Sequence, residues 1–329
     1  MDLNAQRAFL ALLDEGKSFV LTTHVQPDAD GIGSEIGLAS LILRRGGRVR
    51  IINADPPPRL LAELESETPI ETYDPSQHDE LLGQAGVIAM LDSSVVSRLG
   101  KMLAPIEASP ARRVCIDHHP EPDPFWEIIL LDTTSSSTGE LVSGLYEAMG
   151  VPFSSWAASA LYSALVSDTG RFRFRNASPG AFLTAARLVA AGARPEEIFA
   201  RLEERHSEGF LRLYGEVLAA LETRANGHLV LLRLPRELIE RHGAVADDFS
   251  EIINRSLALA SARIAALFKE REDGQTKVSL RSKGLRDVNR LARSFGGGGH
   301  PNASGIVMAA PMETTIARLM PGLLELAAS

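Results

Sequence analysis

The sequence predicts a two-domain α/β protein, with a first domain built on a doubly wound, mainly parallel sheet and a smaller mixed α/β domain after it. Short apolar runs rich in Val and Ile alternate with helix-length segments through the first half of the chain. That alternation is typical of a parallel sheet covered by helices on both faces. From about Leu213 onward the alternation stops, which indicates a second unit with another order of elements.

Five apolar runs are predicted strands of the first sheet, because short runs of β-branched residues suit strands buried on both faces. They cover residues 19–24, 48–55, 87–92, 112–117 and 127–132. Helices are predicted where apolar residues recur at helical spacing, and two of these segments stop at glycine. The predicted helices cover residues 31–45, 138–149, 155–166 and 179–191.

The charged stretch 195–210 is predicted to form one exposed helix between the two halves. The expected domains are residues 1–192 and 213–329, with a helical linker over 193–212 and the active site in the cleft between the domains. Helices are expected in the second domain near residues 248–260 and 288–294. The sequence leaves open whether the linker also forms a homodimer contact.

Composition narrows the range of functions. The chain has 329 residues, 45% of them hydrophobic, and a formal net charge of −8, which argues against a surface for long duplex DNA but allows a short anionic substrate. The lone cysteine, Cys115, excludes a disulfide framework. Because the sequence contains no apolar run long enough to span a membrane, we expect a cytoplasmic protein without a membrane partner.

Acidic and histidine side chains follow several apolar runs. The residues are His24, Asp28, Asp30, Asp92, Asp117, His118, His119 and Asp168. At the carboxyl ends of neighbouring parallel strands such side chains converge in one crevice, and carboxylates with imidazoles suit one or two divalent cations. Asp92 is expected to bridge two ions held roughly 3.5–4 Å apart, as in two-metal hydrolases. Each aspartate alone is more typical of a turn or a helix cap, so the metal prediction depends on the whole set.

The Asp-His-His sequence at 117–119 ends a predicted strand. We expect the two imidazoles to point to opposite faces, so that one binds metal while the other reaches the substrate. Asp117 is placed to accept a ring N–H and orient an imidazole. Farther along, arginines alternate with Phe172 and Phe174, as on an exposed strand edge. The alternative is that an aromatic ring there stacks on a base.

The motifs together resemble those of the DHH phosphoesterase superfamily, in particular its small members with a DHH-associated C-terminal domain, such as nanoRNases and pAp phosphatases. The resemblance covers nearly the whole chain. It is carried by THVQPDADGIGSEIGL, LDSS, IDHHP, SDTGRFRF, VSLRSKG and SFGGGGHPNASG. It implies a metal-dependent enzyme that hydrolyses very short oligoribonucleotides to mononucleotides and also removes the 3′-phosphate of pAp.

The resemblance also implies roles for individual residues. A manganese pair, with magnesium as the alternative, is expected on His24, Asp28 and Asp92 for one ion and on Asp30, Asp92, His118 and Asp168 for the other. His119 would face the substrate with Asp117 behind it. The phosphate or nucleotide at the substrate's far end would be bound by Arg281, Ser282, Gly298, Gly299 and His300.

Two other functions stay open. One is a cyclic-di-AMP or linear pApA phosphodiesterase of the same fold and metals. The other is a nucleotide-binding regulator without catalysis, in which the metal site is structural; it would bind nucleotide tightly and show no hydrolysis with added manganese.

Overall fold

The computed structural model describes residues 2–58, 61, 68–204, 206–244 and 249–328. The chain divides into two compact units between Glu204 and Arg205. The first contains a parallel sheet with helices, and the second contains a mixed sheet with helices. The predicted fold class is confirmed.

Among the described residues, six strands form the sheet of the first unit. They are β1 (Ser18–Thr22), β2 (Arg48–Asn53), β3 (Ile70–Thr72), β4 (Val87–Leu91), β5 (Arg112–Asp117) and β6 (Ile128–Leu131). All pairs are parallel, in the spatial order β3-β2-β1-β4-β5-β6. The chain builds toward one edge from β1 and toward the other from β4. In open α/β sheets, ligands bind at the carboxyl ends of the strands beside such a reversal.

Helices cover both faces of this sheet. They are α1 (Leu3–Asp14), α2 (Ala29–Arg44), α3 (Pro75–Gln84), a 3₁₀ helix (Val96–Met102), α4 (Leu103–Ala108), α5 (Thr138–Met149), α6 (Ser155–Asp168), α7 (Pro179–Ala190) and α8 (Pro195–Glu203). Apolar residues of α1, α2, α5 and α6 form one core. Those of α3, α4 and the 3₁₀ helix form another with the opposite-facing strand residues, as expected of a doubly wound sheet.

Helix α2 is buried from its first turn almost to its end and packs against α6. Glycine permits this close approach, because a Cβ at Gly33 would lie 2.4 Å from the carbonyl oxygen of Ala160. Near the other end of the contact, the hydroxyls of Ser40 and Ser154 are 3.0 Å apart. The helices are therefore antiparallel, which brings the start of α2 next to the end of α6.

The five predicted strands are all present, whereas the short strand β3 and helices α1, α3 and α4 were not predicted. Helix α2 begins two residues before the predicted start, because Asp28 caps it by accepting hydrogen bonds from the backbone N–H groups of Asp30 and Gly31. Helix α6 continues two residues beyond its predicted end. Asp168 therefore stands at the end of a helix and not of a strand.

Two local predictions were wrong. Residues 195–210 do not form one helix: α8 ends at Glu203, and a new helix starts after Ser207, whose hydroxyl accepts from the N–H of Phe210. Ile198 packs in the core of the first unit, whereas Phe210 packs in a core of the second unit. Because the two ends of the stretch pack in different cores, its helix is interrupted. The alternating Arg and Phe residues after Asp168 form successive turns, not a strand edge.

The second unit contains a mixed sheet with strands β7 (Glu222–Arg224), β8 (Leu229–Leu234), β9 (Ile264–Glu270), β10 (Thr276–Ser282), β11 (Gly298–His300) and β12 (Ala303–Met308). The order is β11-β12-β10-β9-β8-β7, and only the β8–β9 pair is parallel among these neighbours. Its helices are α9 (Glu208–Ala219), α10 (Arg236–His242), α11 (Ser250–Ser256), α12 (Val288–Ser294) and α13 (Met312–Ala328). The helix predicted near 248–260 is shorter, and its expected start at Asp248 lies outside the described residues. Within the described ranges, no helix is both long and apolar enough to cross a bilayer.

Candidate metal centre

The site lies at the carboxyl ends of three adjacent strands. His24 follows β1, Asp92 follows β4, and Asp117 ends β5 immediately before the two histidines. The first turn of α2 adds Asp30, with Asp28 as its cap, and the last residue of α6 adds Asp168. Sheet order and the antiparallel α2–α6 contact therefore bring together all of the metal ligands predicted from the sequence.

Asp92 stands at the centre of this group. Its Oδ2 is 3.5 Å from Nε2 of His24, and its Oδ1 is 3.6 Å from Nε2 of His118. The two oxygens of one carboxylate thus face two different imidazoles, as a bridging ligand requires. Asp92 has a φ of 63°, which costs little in an aspartate, and its N–H donates to the carbonyl of Ile116.

One ligand group consists of His24, Asp28 and Asp92, whose ligand atoms lie within 4.8 Å of one another. Nδ1 of His24 is 2.8 Å from the carbonyl oxygen of Val25. Because a carbonyl only accepts, Nδ1 carries the proton, and Nε2 presents its lone pair to the carboxylates. Partial burial on its own would raise the pKa of Asp28, but the contact with His24 and backbone N–H donors outweigh it and lower this pKa to about 2.

A second ligand group consists of Asp30, His118 and Asp168. Nε2 of His118 is 3.2 Å from Oδ2 of Asp168 and 3.7 Å from Oδ2 of Asp30. The N–H groups of Thr138 and Gly139, at the start of α5, donate to Asp30 at 2.7 and 2.9 Å. The amino end of α5 thereby orients this buried carboxylate.

The electrostatic environment of the two ligand groups favours binding of cations. Burial raises the pKa values of Asp30 and Asp92 well above the usual range, and neighbouring carboxylates raise them further. Burial alone would lower the pKa of His118, but the carboxylates of Asp168 and Asp30 raise it to about 9. Within the described part of the chain, buried Nε2 of His118 has no hydrogen bond of normal geometry. Crowded carboxylates around such a nitrogen fit a divalent cation, which would neutralise them and accept its lone pair.

His119 is held by Asp117. Its ring Nδ1–H and its backbone N–H donate to Oδ1 of Asp117 at 2.8 and 3.0 Å. Burial by itself raises the pKa of Asp117, but these hydrogen bonds outweigh it and lower the pKa. The expectation that the two histidines face opposite ways was wrong: their ring centroids are 4.4 Å apart, because the strand ends at Asp117 and its alternation ends with it. His119 also lies within reach of a cation on Asp92 and His118.

Sequence reasoning missed the residues that orient Asp30. Thr138 donates its N–H to Asp30 and its hydroxyl to Oδ1 of Asp92, at 3.1 Å, so it contacts both ligand groups. The available signal was the Ser-x-x-Glu pattern at 137–140, which is typical of a helix start. Ser137 does cap α5, by accepting from the N–H of Glu140.

In the second unit, Arg281 and His300 lie on strands β10 and β11, on either side of β12. Both pair with Ala303, so their side chains point to the same face of the sheet. Ser282 is buried; its hydroxyl donates to the carbonyl of Arg286 and accepts from Asn302. Gly298 and Gly299 both lie in strand β11.

Comparisons with known proteins bear on this arrangement. Residues 18–165 match the DHH family, N-terminal domain, and residues 227–322 match the DHHA1 domain. The bifunctional oligoribonuclease and PAP phosphatase NrnA of Thermus thermophilus is 31% identical over 294 residues, which cover 89% of this chain and 85% of the relative. The chain belongs to the DHH family.

Two further proteins are similar as well. The crystal structure of an exopolyphosphatase-related protein from Bacteroides fragilis superposes with a TM-score of 0.93 at 29% identity, covering 98% of this chain and 96% of that one. The cyclic-di-AMP phosphodiesterase GdpP of Geobacillus thermodenitrificans is 26% identical over 316 residues, which cover 89% of this chain and 45% of the relative. Both DHH and DHHA1 matches lie within the two structural units described above.

Proposed function

We propose that this DHH protein is a metal-dependent phosphoesterase that hydrolyses very short oligoribonucleotides to mononucleotides and removes the 3′-phosphate of pAp. The observation that carries the proposal is the placement of Asp92, with one oxygen toward each of two histidines. The similarity to NrnA of Thermus thermophilus over most of both chains supports these substrates. The negative net charge supports short substrates over long duplexes.

In this proposal two divalent cations, manganese or magnesium, bind the two ligand groups. His24, Asp28 and Asp92 would hold one ion, and Asp30, Asp92, His118 and Asp168 the other. When bound, such a pair supplies charge neutralisation at the phosphoryl group and a water made acidic enough to attack at neutral pH. Thr138 and Gly139 keep Asp30 in place for this purpose by donating to it.

The proposed role of His119 is to transfer the proton that the leaving oxygen takes up. Water forms a new bond to phosphorus and loses one proton, the bond from phosphorus to the leaving ribose oxygen breaks, and that oxygen takes up one proton. Asp117 accepts the Nδ1–H of His119, which leaves Nε2 as the nitrogen that exchanges a proton with the substrate. Asp117 thus acts through His119 by fixing its tautomer and orientation.

The second unit is proposed to bind a phosphate or nucleotide distant from the cleaved bond. Arg281 and His300 support this, because both point to one face of the sheet, and a guanidinium can hold two phosphate oxygens at once. The contacts predicted for Ser282, Gly298 and Gly299 stay predictions. So do the cytoplasmic location and the homodimer.

The competing function is hydrolysis of cyclic di-AMP or linear pApA, and the similarity to the cyclic-di-AMP phosphodiesterase GdpP supports the first of these two substrates. Both functions use the same metal site, so substrate preference separates them. Incubating the full chain and Mn²⁺ or Mg²⁺ with labelled RNA of two to five nucleotides, pAp, pApA and cyclic di-AMP gives a direct comparison. Fastest turnover of short RNA and pAp supports the proposal, whereas strong preference for cyclic di-AMP contradicts it.

The same assay tests the site. Asp92→Asn keeps the shape and tolerates the positive φ but removes the shared charge. Since losing an outer partner of a metal ligand already costs about 10–100-fold, we expect the rate to fall by more than about 100-fold. Asp14→Asn, at an exposed aspartate of α1 paired with Arg45, is the control. Near-normal turnover by Asp92→Asn would show that the metal assignment is wrong.

A further inference from the structure

The turn after Asp168 is unusual. Gly170, Arg171 and Phe172 follow one another with φ values of 54°, 61° and 59°, a left-handed conformation that non-glycine residues avoid. Such a backbone persists only where its surroundings hold it, and it concentrates at functional sites. Here it begins two residues after an aspartate of the metal centre.

Hydrogen bonds fix this turn to the end of α6. The N–H groups of Arg173 and Phe174 both donate to the carbonyl of Thr169, each at 3.0 Å. At the far end, Nδ2 of Asn176 donates to the carbonyl of Asp168 at 3.0 Å and also to that of Ser136. These hydrogen bonds close residues 168–176 into a compact turn, which restricts the position of Phe174 relative to the backbone of Asp168.

The ring of Phe174 lies against Gly170 and is more than half exposed. A Cβ built on Gly170 would be 2.4–2.6 Å from three atoms of this ring. Because the three distances are nearly equal, the face of the ring, and not its edge, lies against the glycine. The phenylalanine is nevertheless 54% exposed. Phe172 differs, since it is half-buried and stacks on Phe182 with centroids 4.9 Å apart. One aromatic ring is therefore supported from behind by Gly170 and presented to solvent in the closed turn that follows Asp168.

We infer that Phe174 binds substrate by stacking on the nucleobase of the nucleotide whose phosphate lies at the metal centre. The inference rests on the proposed function, because it takes a nucleotide as the ligand. In a nucleotide one sugar separates the base from the phosphate, which suits an aromatic ring on the hydrogen-bonded turn that directly follows Asp168. Every base has a π-face, so this contact binds any base and adds affinity without sequence preference.

The test compares AMP with ribose 5-phosphate, which lacks the base, by equilibrium binding to the full chain with Mn²⁺. Phe174→Ala is expected to weaken AMP binding by about 5- to 150-fold, the range for losing one stacked base. Its affinity for ribose 5-phosphate should change less than about twofold. Phe174→Trp should retain AMP binding, and Phe174→Leu, which keeps apolar bulk without a flat ring, should lose it.

Trp156→Ala is the matched control, because Trp156 is 51% exposed at the opposite end of α6, about 18 Å from Asp168 along the helix. Unchanged AMP affinity in Phe174→Ala would overturn the inference. So would equal weakening of AMP and ribose 5-phosphate, which indicates a role in folding alone. Base-dependent AMP binding without RNA hydrolysis would leave stacking intact and contradict the proposed function. RNA hydrolysis with no preference for AMP over ribose 5-phosphate would contradict stacking and leave the proposed function intact.

Discussion

Glu35 allows a quantitative test of the protonation state of a buried carboxyl group near the metal centre. It is fully buried in α2; Oε2 accepts from Nδ2 of Asn53 at 2.9 Å, and Oε1 has no hydrogen-bond partner among the described residues. Asn53 in turn accepts from the N–H of Thr23, next to His24. Burial raises the pKa of Glu35 to about 8, despite the opposing hydrogen bond from Asn53.

The sign of the pH effect follows from this shift. With the ordinary glutamate pKa of 4.5 in the unfolded chain, the unfolded state between pH 4.5 and 8 has lost a proton that the folded state keeps. The free energy of unfolding therefore falls as pH rises through this interval and levels off above it. At 1.36 kcal/mol per pH unit over about 3.5 units, the titration of Glu35 alone lowers the free energy of unfolding by about 5 kcal/mol across this interval.

Glu35→Gln removes this titration while keeping the shape of the side chain. Urea unfolding with a metal chelator, followed by the fluorescence of buried Trp126, should show the variant gaining stability over the natural chain as pH rises from 5 to 8. Glu107→Gln, at an exposed position, should show no such trend. A Glu35→Gln difference that stays constant with pH would refute a buried, neutral Glu35.

Two further predictions concern the metal centre. Asp117→Asn should lower kcat for short RNA by about 10–100-fold with little change in KM, because it disturbs the tautomer of His119 and not substrate binding. Steady-state kinetics with a pH profile of kcat will check this, and a raised KM with normal kcat would contradict it. Mn²⁺ binding to the metal-free chain at pH 8 should release roughly one proton or more, since His118 has a pKa of about 9 and must lose its proton to bind a metal. Titration calorimetry in two buffers of different ionisation enthalpy measures that release, and zero release would mean that His118 does not bind the ion.

Much of the fold was predictable because the first sheet is buried on both faces. Its strands therefore appear as apolar runs, and five of the six described strands were located. The short edge strand β3 contributes three residues, too few to show a pattern. The interruption between α8 and α9 was missed because charge and helical propensity continue through it, while the attachment of Ile198 and Phe210 to different cores is a tertiary property.

The candidate site was predictable residue by residue but not in its geometry. Asp168 was recognised, although it ends a helix and not a strand. The N–H donors of Thr138 and Gly139 were not recognised, because the sequence marks a helix start there but not its partner Asp30, which lies more than one hundred residues away. The turn that supports Phe174 depends on hydrogen bonds to Thr169 and Asp168, which alternating residue types cannot reveal.

The sequence by itself determined which side chains are available as ligands and that most of them follow strands, because local periodicity and residue chemistry are written along the chain. Tertiary structure decided which ligands share an ion. The strand order places β1 beside β4, and β4 beside β5. Asp92 therefore lies between His24 and His118, since hydrogen bonding across the sheet, and not distance along the chain, sets which strand ends are neighbours.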